Sequence, residues 1–525
     1  MRGGSPTKQP WTEITKLTVT KIFRFSLLMC CSLLLLFFSN CKKDVTNGNT
    51  LSFSTDTLTF DTVFTTLGST TQYFKVFNRG KQPVTISNIK LQQLQGTQYR
   101  INVDGTPGTS FTNVQIPGKD SIYVFVEVTV NPNSTATPFV IIDNVNFTIG
   151  NKTQTVFLQA FGQNAHFHYG EVINPGESKT WTNDLPHVII NNGQIPGVFV
   201  ACGGTLNIKP GCRVLFQSGS ALFVEGTLNA ISHDWHDSII FRGVRLEQYY
   251  QDQPGQWFGI AFLRSNTCVA QGNFDHCVIN ESQYGIYAGG SASSSNATDF
   301  QGSMQRPVVN IQKSIVENAQ YNAIYGFNAD ITAQNSLFFT AGDYLIKLAL
   351  GGVYNFTNCT MYNSGNANVN HQTPVVLLSN VVTVTQANNS NLYYPEPLTS
   401  NFTNCIIYGS LPNEITFANF DNLDLARFNT TFNYCLMTTP ADTLAMFAKI
   451  NSHNIFNKDP LFVNAAANQF TLNDSTNNSA PVNGFFSPAI DYCPTGLPTD
   501  LYDHMRPVSK TNNPYRYDIG AIEAR

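Results

Sequence analysis

Short apolar runs separated by turn residues recur along the chain after residue 166. Between Gly204 and Gly243 the runs LNI, VLF, LFV, LNAI and IIF follow one another with Gly, Pro or Ser-Gly between them. Each run is too short for a helix, and no apolar period of 3.6 residues connects them. Strands separated by turns, without the dipeptides that favour hairpins, indicate a chain that winds into parallel coils. The pattern therefore predicts a parallel β-helix.

A repeat further along the chain gives the size of one coil. Six similar segments align on one small residue each, and these residues are Cys277, Ser314, Ser336, Cys359, Cys405 and Cys435, separated by 37, 22, 23, 46 and 30 positions. A step of 22 or 23 is one coil, and the steps of 37 and 30 are coils with loops. The step of 46, which separates two copies of NFTNC, is two coils or one coil with a long insertion.

The aligned cysteines are expected to be buried free thiols. Equivalent positions of successive coils stack about 4.8 Å apart, and a narrow interior corner favours a small residue. Cysteine packs there as a small hydrophobe that serine can replace. The neighbouring Asn358 and Asn404 are expected at a bend, because Asn tolerates the left-handed conformation. A disulfide between the copies is the alternative; a metal site has little support, since the chain has no CxxC pair and no His and Cys at zinc-ligand spacing.

The region before the coils has a different pattern. Alternating apolar and polar runs at 73–91, 116–132 and 143–162 are separated by turn signals, which is typical of a β-sandwich. The NRG turn at Asn78, the PGKD turn at Pro117 and the closing strand at 158–162 resemble immunoglobulin-like modules of the ASPM-SPD-2-Hydin type. The resemblance implies a spacer or binding platform.

The first 40 residues are predicted to be a targeting segment. Lys16, Lys21 and Arg24 precede a largely apolar run of 14 residues at 25–38, which is too short for a membrane span and typical of a signal peptide. The following SNC resembles a bacterial lipoprotein signal, although Phe38 and Asn40 depart from the usual residues. The resemblance implies lipidation of Cys41, export, and a location in the outer membrane or at the cell surface. An ordinary signal peptide is the alternative.

Composition limits the possible partners. Charged residues make up only 12% of the chain and aromatic residues another 12%. Without the first 40 residues, 25 basic and 33 acidic side chains remain, a net charge of −8. This balance argues against nucleic acid as a partner.

Two further resemblances complete the organisation. GQWFGIAF at 255–262 resembles a strand of bacterial right-handed parallel β-helix proteins with a pectate-lyase-like fold. SPAIDY, TDLYDHMRP and YDIGAIE near the carboxy terminus resemble the final segment of surface-anchored members. The predicted fold is all-β, and the predicted divisions are a signal peptide at 1–40, a linker at 41–50, an immunoglobulin-like sandwich at 51–166, a right-handed β-helix at 167–455 and a carboxy-terminal cap segment at 456–525.

The sequence offers only weak catalytic candidates. No Asp-Asp pair and no arginine-x-proline-x-x-arginine segment occurs. Asp275 and His276 slightly resemble a pectate-lyase strand, but a coil edge bonded to turns is the simpler interpretation. The cluster His233, Asp234, His236 and Asp237 could support acid–base or metal chemistry, yet it is expected in a turn. Lys313, Glu317, Asp343 and Lys347 are interpreted as isolated surface charges.

The leading functional hypothesis is therefore an exported, lipid-anchored surface protein that serves as a binding or structural module for glycans or surface partners, and an enzyme is the less favoured hypothesis. Exposed tyrosines could form a strip that stacks on sugars, and the candidates are Tyr249, Tyr250, Tyr284, Tyr287, Tyr321 and Tyr325. Packing of these rings in the core or against one another is the favoured alternative. The alternative is a polysaccharide lyase or glycoside hydrolase that acts on acidic polysaccharide. No cofactor or metal is expected, and calcium enters only with the lyase alternative.

Overall fold

The computed structural model describes residues 50–289, 304–385, 389, 391–419, 427–450, 453–474, 486–508 and 517–525. The predicted leader, including Cys41, lies outside these residues. Regular structure in the described part is almost entirely β, with one α-helix, α1 (Ala441–Phe447), and a few 3₁₀ turns. No helix of that part is long and apolar enough to cross a membrane. The predicted fold class, an all-β chain with a sandwich followed by a parallel β-helix, is confirmed.

Two compact units divide the chain, and the division is not a single cut. Of the described residues, one unit comprises 50–58, 71–127 and 143–158. The other comprises residues 59–70, 128–142 and 159–525. The first parallel pairing joins His166 to His187, and the last joins strands that end at Met437 and Phe456.

The amino-terminal strands form two five-stranded sheets, ordered β1-β3-β8-β5-β6 and β2-β10-β9-β4-β7. Phe74 and Phe147, one from each sheet, meet edge to face with ring centroids 6.0 Å apart. Asn78 closes the predicted NRG turn, because its side chain accepts a hydrogen bond from Gly80 N and donates to Ile116 O. The strands are β1 (Ser52–Phe53), β2 (Thr57–Phe64), β3 (Gln72–Phe77), β4 (Val84–Leu91), β5 (Tyr99–Val103), β6 (Thr106–Gly108), β7 (Ser110–Ile116), β8 (Ser121–Val128), β9 (Phe139–Ile149) and β10 (Lys152–Gln163).

Each coil of the solenoid contributes strands to three parallel rows, here called faces. The first face consists of β12 (Glu171–Ile173), β15 (Gly197–Val200), β18 (Ala221–Val224), β21 (Gly259–Phe262), β24 (Tyr284–Gly289), the first halves of β27 (Asn322–Gln334) and β29 (Ile346–Thr357), β31 (Val376–Ser379) and β36 (Ile415–Ala418). The second face consists of β13 (Ser178–Trp181), β16 (Thr205–Ile208), β19 (Thr227–Ile231), β22 (Gln271–Asp275), β25 (Val308–Gln312), the second halves of β27 and β29, β34 (Leu398–Thr403), β37 (Phe428–Asn433) and β39 (Lys449–Ile450).

The third face is a separate sheet of eleven parallel strands. They are β11 (His166–Tyr169), β14 (His187–Ile190), β17 (Arg213–Phe216), β20 (Ile239–Gly243), β23 (Cys277–Ile279), β26 (Ile315–Ala319), β28 (Leu337–Ala341), β30 (Thr360–Asn363), β35 (Ile406–Gly409), β38 (Leu436–Met437) and β40 (Ile455–Phe456). Side chains alternate between interior and exterior along these strands, and the interior ones form one continuous apolar core from Ile173 to Leu444.

The predicted stack of small residues is present inside this core. Thr360 pairs with Ile406, and Ile406 pairs with Leu436, so the preceding cysteines occupy equivalent positions of successive coils. Cys277 N donates to the Ser314 hydroxyl and Ser314 N donates to that of Ser336, which extends the column across the serine coils. The prediction of buried free thiols is confirmed at Cys277, Cys359, Cys405 and Cys435.

A single left-handed residue turns the chain from the second face to the third. Asn358 (φ 51°) and Asn404 (φ 54°) adopt this conformation, as predicted. Positive φ also occurs at the equivalent residues of the other coils, which are His276, Lys313, Asn335 and Tyr434. Because the corner is one residue long, the interior small residue follows it directly.

Insertions leave the coils at the other corners. The step of 46 residues is one coil with an insertion, since β30 pairs directly with β35. The insertion includes an antiparallel hairpin of β32 (Val381–Thr385) and β33 (Asn391–Pro395). A shorter insertion between β21 and β22 carries Cys268, which forms a disulfide with Cys202, a pairing that the sequence did not predict.

The carboxy-terminal segment packs along the exterior of the third face. Its strands β41 (Phe462–Asn464) and β42 (Gln469–Leu472) form a hairpin. Apolar residues of the segment cover the outward side chains of the third face, in clusters that include Ile406, Leu436, Ile490 and Ile519. Four charged residues of the carboxy-terminal motifs are buried: Asp500, Arg506, Asp518 and Glu523. The three carboxylates accept hydrogen bonds from main-chain amides. These bonds hold the segment together internally, and Gly520 N, which donates to Asn404 O, and Ala521 N, which donates to Thr360 Oγ1, fasten it to the side of the solenoid.

Candidate functional site

Four tyrosines form one partly exposed aromatic surface on the first face. The tyrosine strip is defined here as Tyr284, Tyr287, Tyr321 and Tyr325. The Tyr284 ring centroid lies 5.1 Å from that of Tyr321 and 6.0 Å from that of Tyr325, and Tyr287 lies 4.9 Å from Tyr325. Tyr321 is the most open member, with 41% of its surface exposed. All four residues were predicted to share a strip, and the structure brings them together.

Strand register explains why these rings meet. Tyr287 of β24 pairs with Tyr325 of β27, and Tyr325 pairs with Lys347 of β29. Each pair is one coil apart, about 4.8 Å along the solenoid. Since neighbouring side chains on a strand point to opposite sides, the buried Ile286 and Ile324 place the adjacent Tyr287 and Tyr325 outward. Phe258, from the preceding loop, extends the surface with its ring 5.5 Å from Tyr284.

A charged pair adjoins the strip. Lys347 Nζ lies 3.1 Å from Asp343 Oδ2 and 5.4 Å from the Tyr325 ring centroid, within reach of a cation–π contact. Asn322 Nδ2 approaches the same Asp343 oxygen at 3.5 Å. The interpretation of Asp343 and Lys347 as isolated charges was wrong, because the turn before β29 brings position 343 back beside position 347. The pair provides hydrogen-bonding groups next to the rings without net charge.

The phenol groups of Tyr284, Tyr287 and Tyr325 remain protonated at neutral pH. Burial, together with the nearby Tyr284, raises the pKa of Tyr287 to about 12. Burial also raises the pKa values of Tyr284 and Tyr325. Each hydroxyl can therefore donate a hydrogen bond as well as accept one.

The other two predicted tyrosines lie elsewhere. Tyr249 and Tyr250 are in a 3₁₀ turn between β20 and β21, where their rings contact each other at 5.0 Å. Arg245 covers Tyr250 at 3.8 Å, while Tyr249 is 76% exposed. Neither ring contacts the tyrosine strip, so the prediction was wrong for these two residues. The loop between the strands separates them from the register that aligns the other four.

The hairpin of β32 and β33 borders the strip. Tyr394 and Val382 pack with Phe327, Ala349 and Leu350 in a small apolar cluster. Tyr325 lies at the edge of this cluster, and its ring is 6.1 Å from that of Phe327. The hairpin therefore stands beside the aromatic surface as a wall.

Of the weak catalytic candidates, Asp275, His276 and His233 come together at a coil corner. His276 is 2% exposed, and its Nε2 lies 2.7 Å from Asp503 Oδ2. Its Nδ1 lies 3.1 Å from the carbonyl oxygen of Ser232, to which it donates, and 2.7 Å from Asp275 Oδ1, which acts through its charge. His233 Nδ1 lies 3.1 Å from the other Asp275 oxygen. Both His276 nitrogens are engaged by the protein itself.

Asp503 is the partner that the sequence did not reveal. Lys313 Nζ contacts its second oxygen, so Lys313 is not an isolated charge as interpreted. Burial lowers the pKa of His276, but the adjacent carboxylates of Asp275 and Asp503 outweigh burial and the net shift is upward. Burial raises the pKa of Asp503, but its contacts with Lys313 and His276 lower it by more, so the net shift is downward. Through His276 and Lys313, this corner therefore binds the carboxy-terminal segment to the coils, while the His233 side chain remains largely exposed.

The remaining candidates belong to an exposed turn, as expected. Asp234 caps a short 3₁₀ turn by accepting a hydrogen bond from His236 N, and its side chain pairs with the His236 ring at 2.7 Å. Asp237 completes the turn. No group of three or more His, Cys, Asp or Glu side chains suited to a metal ion occurs in the part of the chain that the structure describes.

A buried polar cluster on the third face was missed. Glu281 is fully buried, and its carboxylate accepts hydrogen bonds from Arg242 Nη2 at 2.6 Å and from the main-chain N–H of Gly243 and Asp252. Glu317 lies nearby, and burial followed by the charges of Asp252 and Glu281 raises its pKa to about 8. These carboxyls are far apart in sequence. In the repeat alignment, Asn280 and Glu317 are equivalent, since each lies three positions after a stacked small residue, and Glu281 follows Asn280 directly. Only this alignment could have indicated that Glu281 and Glu317 are close.

The outer surface of the second face carries a ladder of amides. Asn229, Asn273 and Asn310 each donate a side-chain hydrogen bond to the asparagine of the preceding coil, over 2.9 to 3.0 Å. Asn401 donates to Asn355 in the same way at 2.9 Å. These amides largely satisfy one another, so the ladder stabilises the stacking of coils.

No family model and no curated protein sequence matches the chain. Among solved structures, the chain is similar to a family 123 glycoside hydrolase from Clostridium perfringens (9% identity, 23% of this chain and 30% of that chain, TM-score 0.17) and to a PapD-like domain of human CEP192 (15%, 24% and 94%, TM-score 0.16). It is also similar to the catalytic unit of a GH87 α-1,3-glucanase from Streptomyces thermodiastaticus (7%, 73% and 89%, TM-score 0.17). The chain thus spans less than a third of the length of the family 123 hydrolase. With TM-scores this low, these similarities support no statement about function.

Proposed function

We propose that this protein binds glycans through the tyrosine strip and has no catalytic activity towards them. The observation that carries the proposal is the cluster of four tyrosines that two successive coils of the solenoid contribute, with Tyr287 and Tyr325 in direct register. Aromatic rings offer large apolar surfaces with hydroxyl groups at their edges. A pyranose ring has an apolar C–H side and a rim of hydroxyls, so it matches this combination.

The geometry also favours an extended chain over a compact ligand. Phe258 adjoins Tyr284 at one side of the strip, and Lys347 adjoins Tyr325 at the other. The register from Tyr287 to Lys347 covers two coil steps, about 10 Å along the solenoid. The wall formed by the hairpin restricts the direction from which a polymer can lie across the rings. A short stretch of polysaccharide fits such an open surface.

The alternative is a polysaccharide lyase or hydrolase. A lyase needs a base and a group that stabilises the enolate, and a hydrolase needs two carboxylates beside the bond. Beside the tyrosine strip the described charges are Lys347 and Asp343, which pair with each other. His276 at the coil corner has both ring nitrogens engaged by other residues of the protein. These arrangements favour binding over catalysis.

Cellular location is the second part of the proposal. We infer a bacterial exported protein with lipid on Cys41, placed in the outer membrane or at the cell surface, in which the sandwich is a spacer of the ASPM-SPD-2-Hydin type. The disulfide between Cys202 and Cys268 supports this location, since disulfides persist in oxidising compartments. If the protein carrying Cys41→Ser still fractionates with membranes, or if mass analysis finds another mature amino terminus, the anchor is wrong.

Affinity electrophoresis of the mature protein tests the binding proposal. The gels would contain polygalacturonate, alginate, chondroitin or a neutral β-glucan, and parallel incubations with calcium would record ultraviolet absorbance and new reducing ends. We expect retardation in at least one polymer, with about tenfold weaker retention for Tyr321→Ala and none lost for Tyr249→Ala. Retardation in no polymer, or equal retention of both variants, would reject the strip as the site. Sustained product formation would instead establish the enzyme alternative.

A further inference from the structure

A small pocket lies on the third face, away from the tyrosine strip. It has a volume of about 360 Å³ and is bounded by Tyr362, Tyr408, Phe462, Asp459 and Ser410 together with Ser364, Gly409, Leu461 and Ala465. The first two residues belong to adjacent strands of the third face, and Asp459 and Phe462 belong to the carboxy-terminal segment that covers it. The pocket therefore forms at the edge of that cover.

Two parallel rings form one wall. Tyr362 and Tyr408 are register partners on β30 and β35, and their rings lie 6.2 Å apart with 13° between the planes. Phe462 holds Tyr362 from the side, edge to face at 5.7 Å. Because each ring is fixed by its strand or by a neighbouring ring, the wall is formed before any ligand arrives.

Four polar groups of the pocket have no partner within the described part of the protein, while Ser364 donates to Gly365 O. Among the described residues, the hydroxyls of Tyr362, Tyr408 and Ser410 have no hydrogen-bond partner. Asp459 uses Oδ1 to accept a hydrogen bond from Leu461 N at 2.8 Å, which leaves Oδ2 for a ligand. Burial, with the charge of Asp459 as a second cause, raises the pKa of Tyr408, so its hydroxyl is a donor at neutral pH.

We propose that this pocket binds a single neutral sugar residue, such as the terminal residue of a glycan. Ligand pockets range from about 300 to 1,000 Å³, so this one suits a ligand of one or two rings. The tyrosine wall would accept the apolar side of a pyranose, and the four free polar groups would bind its hydroxyls. Asp459 is the only charged residue in the lining, which disfavours uronic acids and sulfated sugars.

The inference extends the proposed function without depending on the tyrosine strip. The strip is an open surface on the first face that suits a stretch of polymer, while the pocket is closed on several sides and suits an end. Either site can exist without the other. Variants at the two sites therefore separate the two proposals.

The test is calorimetric or NMR titration of the mature protein with methyl glycosides of glucose, galactose, mannose and N-acetylglucosamine, and with glucuronic acid as the anionic counterpart. We expect at least one neutral glycoside to bind with a dissociation constant of about 1 to 10 mM, and glucuronic acid to bind more weakly. Asp459→Asn should weaken binding about tenfold, since it removes a charged acceptor. Tyr408→Ala should weaken it at least as much.

Two further variants serve as controls. Tyr408→Phe retains the ring and the fold, and should weaken binding only a few-fold through loss of its hydroxyl. Tyr321→Ala, in the tyrosine strip, should bind the glycoside as the unmodified protein does. Failure of every neutral glycoside to bind would overturn the proposal, and so would unchanged binding by Asp459→Asn and Tyr408→Ala. Loss of binding in Tyr321→Ala would assign the sugar to the strip and overturn the pocket in the same way.

Discussion

The first and third faces of the solenoid use the same strand pattern for different purposes. On both, interior side chains join one apolar core and exterior ones form columns in register. The exterior column of the third face includes Ile315, Leu337, Ile406 and Leu436, and the protein covers these with its own carboxy-terminal segment. The exterior column of the first face includes Tyr287 and Tyr325, which remain partly exposed.

The difference shows how a solenoid separates stability from recognition. Aliphatic side chains gain most from complete burial, and the chain provides a cover for them. Tyrosines combine an apolar ring with a hydroxyl and tolerate a half-wet surface. The carboxy-terminal segment covers the aliphatic column of the third face, but the tyrosine column of the first face remains partly exposed. The tyrosine column is therefore a candidate binding surface.

The largest expected effect comes from breaking the cover of the third face. Arg506 is buried with Glu523 and Asp500, and its Nη2 donates to Gly520 O at 2.9 Å. Arg506→Met would leave these carboxyls without their cation, and should lower the free energy of unfolding of the solenoid by about 3 to 5 kcal/mol in urea titrations. Arg213→Met, at an exposed position of the same face, should change it by no more than about 0.5 kcal/mol. An equal loss in both variants would contradict the account of the cover.

The pH dependence of stability tests the buried cluster of the same face. The pKa of Glu317 rises from 4.5 to about 8 in the folded protein. The folded state therefore holds a proton that the unfolded state loses, so this contribution to stability is present below about pH 4.5 and is lost as the pH rises through 8. Allowing for partial exposure, the loss should be about 2 to 4 kcal/mol.

The Glu317→Gln variant is the control for this pH dependence of stability, because its side chain does not titrate. The variant and the unmodified protein should have similar urea midpoints at pH 4, where both side chains are neutral. At pH 9 the variant should be the more stable of the two. Parallel curves over the whole range would show that Glu317 titrates normally.

Substitutions in the tyrosine strip of the first face should change the affinity for polysaccharide and leave the stability of the protein unchanged. Tyr284→Ala removes the ring that contacts both Tyr321 and Tyr325, and should weaken polysaccharide binding about tenfold. Tyr284→Phe keeps the ring and should remain within about threefold of the unmodified protein. Affinity electrophoresis in the retained polymer measures both. If the two variants were equally weak, hydroxyl contacts and not stacking would hold the glycan.

The smallest effect is expected for substitutions in the column of stacked cysteines and serines inside the core. Cys405→Ser should cost less than about 1.5 kcal/mol, because serine already occupies the equivalent positions 314 and 336. Cys405→Leu should cost more, since the fully buried site has no room for a larger side chain. Peptide mapping without reduction should find Cys202 joined to Cys268 and no link between Cys359 and Cys405.

The sequence predicted the features that repeat and missed those that join distant segments. The interval between small residues located the cysteine column and the left-handed corners at Asn358 and Asn404. It also placed Tyr362 and Tyr408 in equivalent positions, although their role in a pocket needed Asp459 from the carboxy-terminal segment. The contact of Asp503 with His276 spans 227 residues, and no local pattern indicates it.

The same reasoning explains the partial success at the candidate site. Tyr284, Tyr287, Tyr321 and Tyr325 lie in or beside strands, so the coil period fixes their spacing. Tyr249 and Tyr250 lie in a loop whose path depends on contacts such as that of Arg245 with Tyr250. Composition alone treated all six alike. Strand register distinguished them.

Hydroxyl-radical footprinting tests the central claim most directly, because it measures the exposure of each tyrosine in the intact protein. Oxidation of Tyr321 and Tyr249 would be compared with and without the polysaccharide that retards the protein in gels. The account predicts that the polymer lowers oxidation of Tyr321 several-fold and leaves that of Tyr249 unchanged. Unchanged oxidation of Tyr321 in the presence of saturating polymer would contradict it.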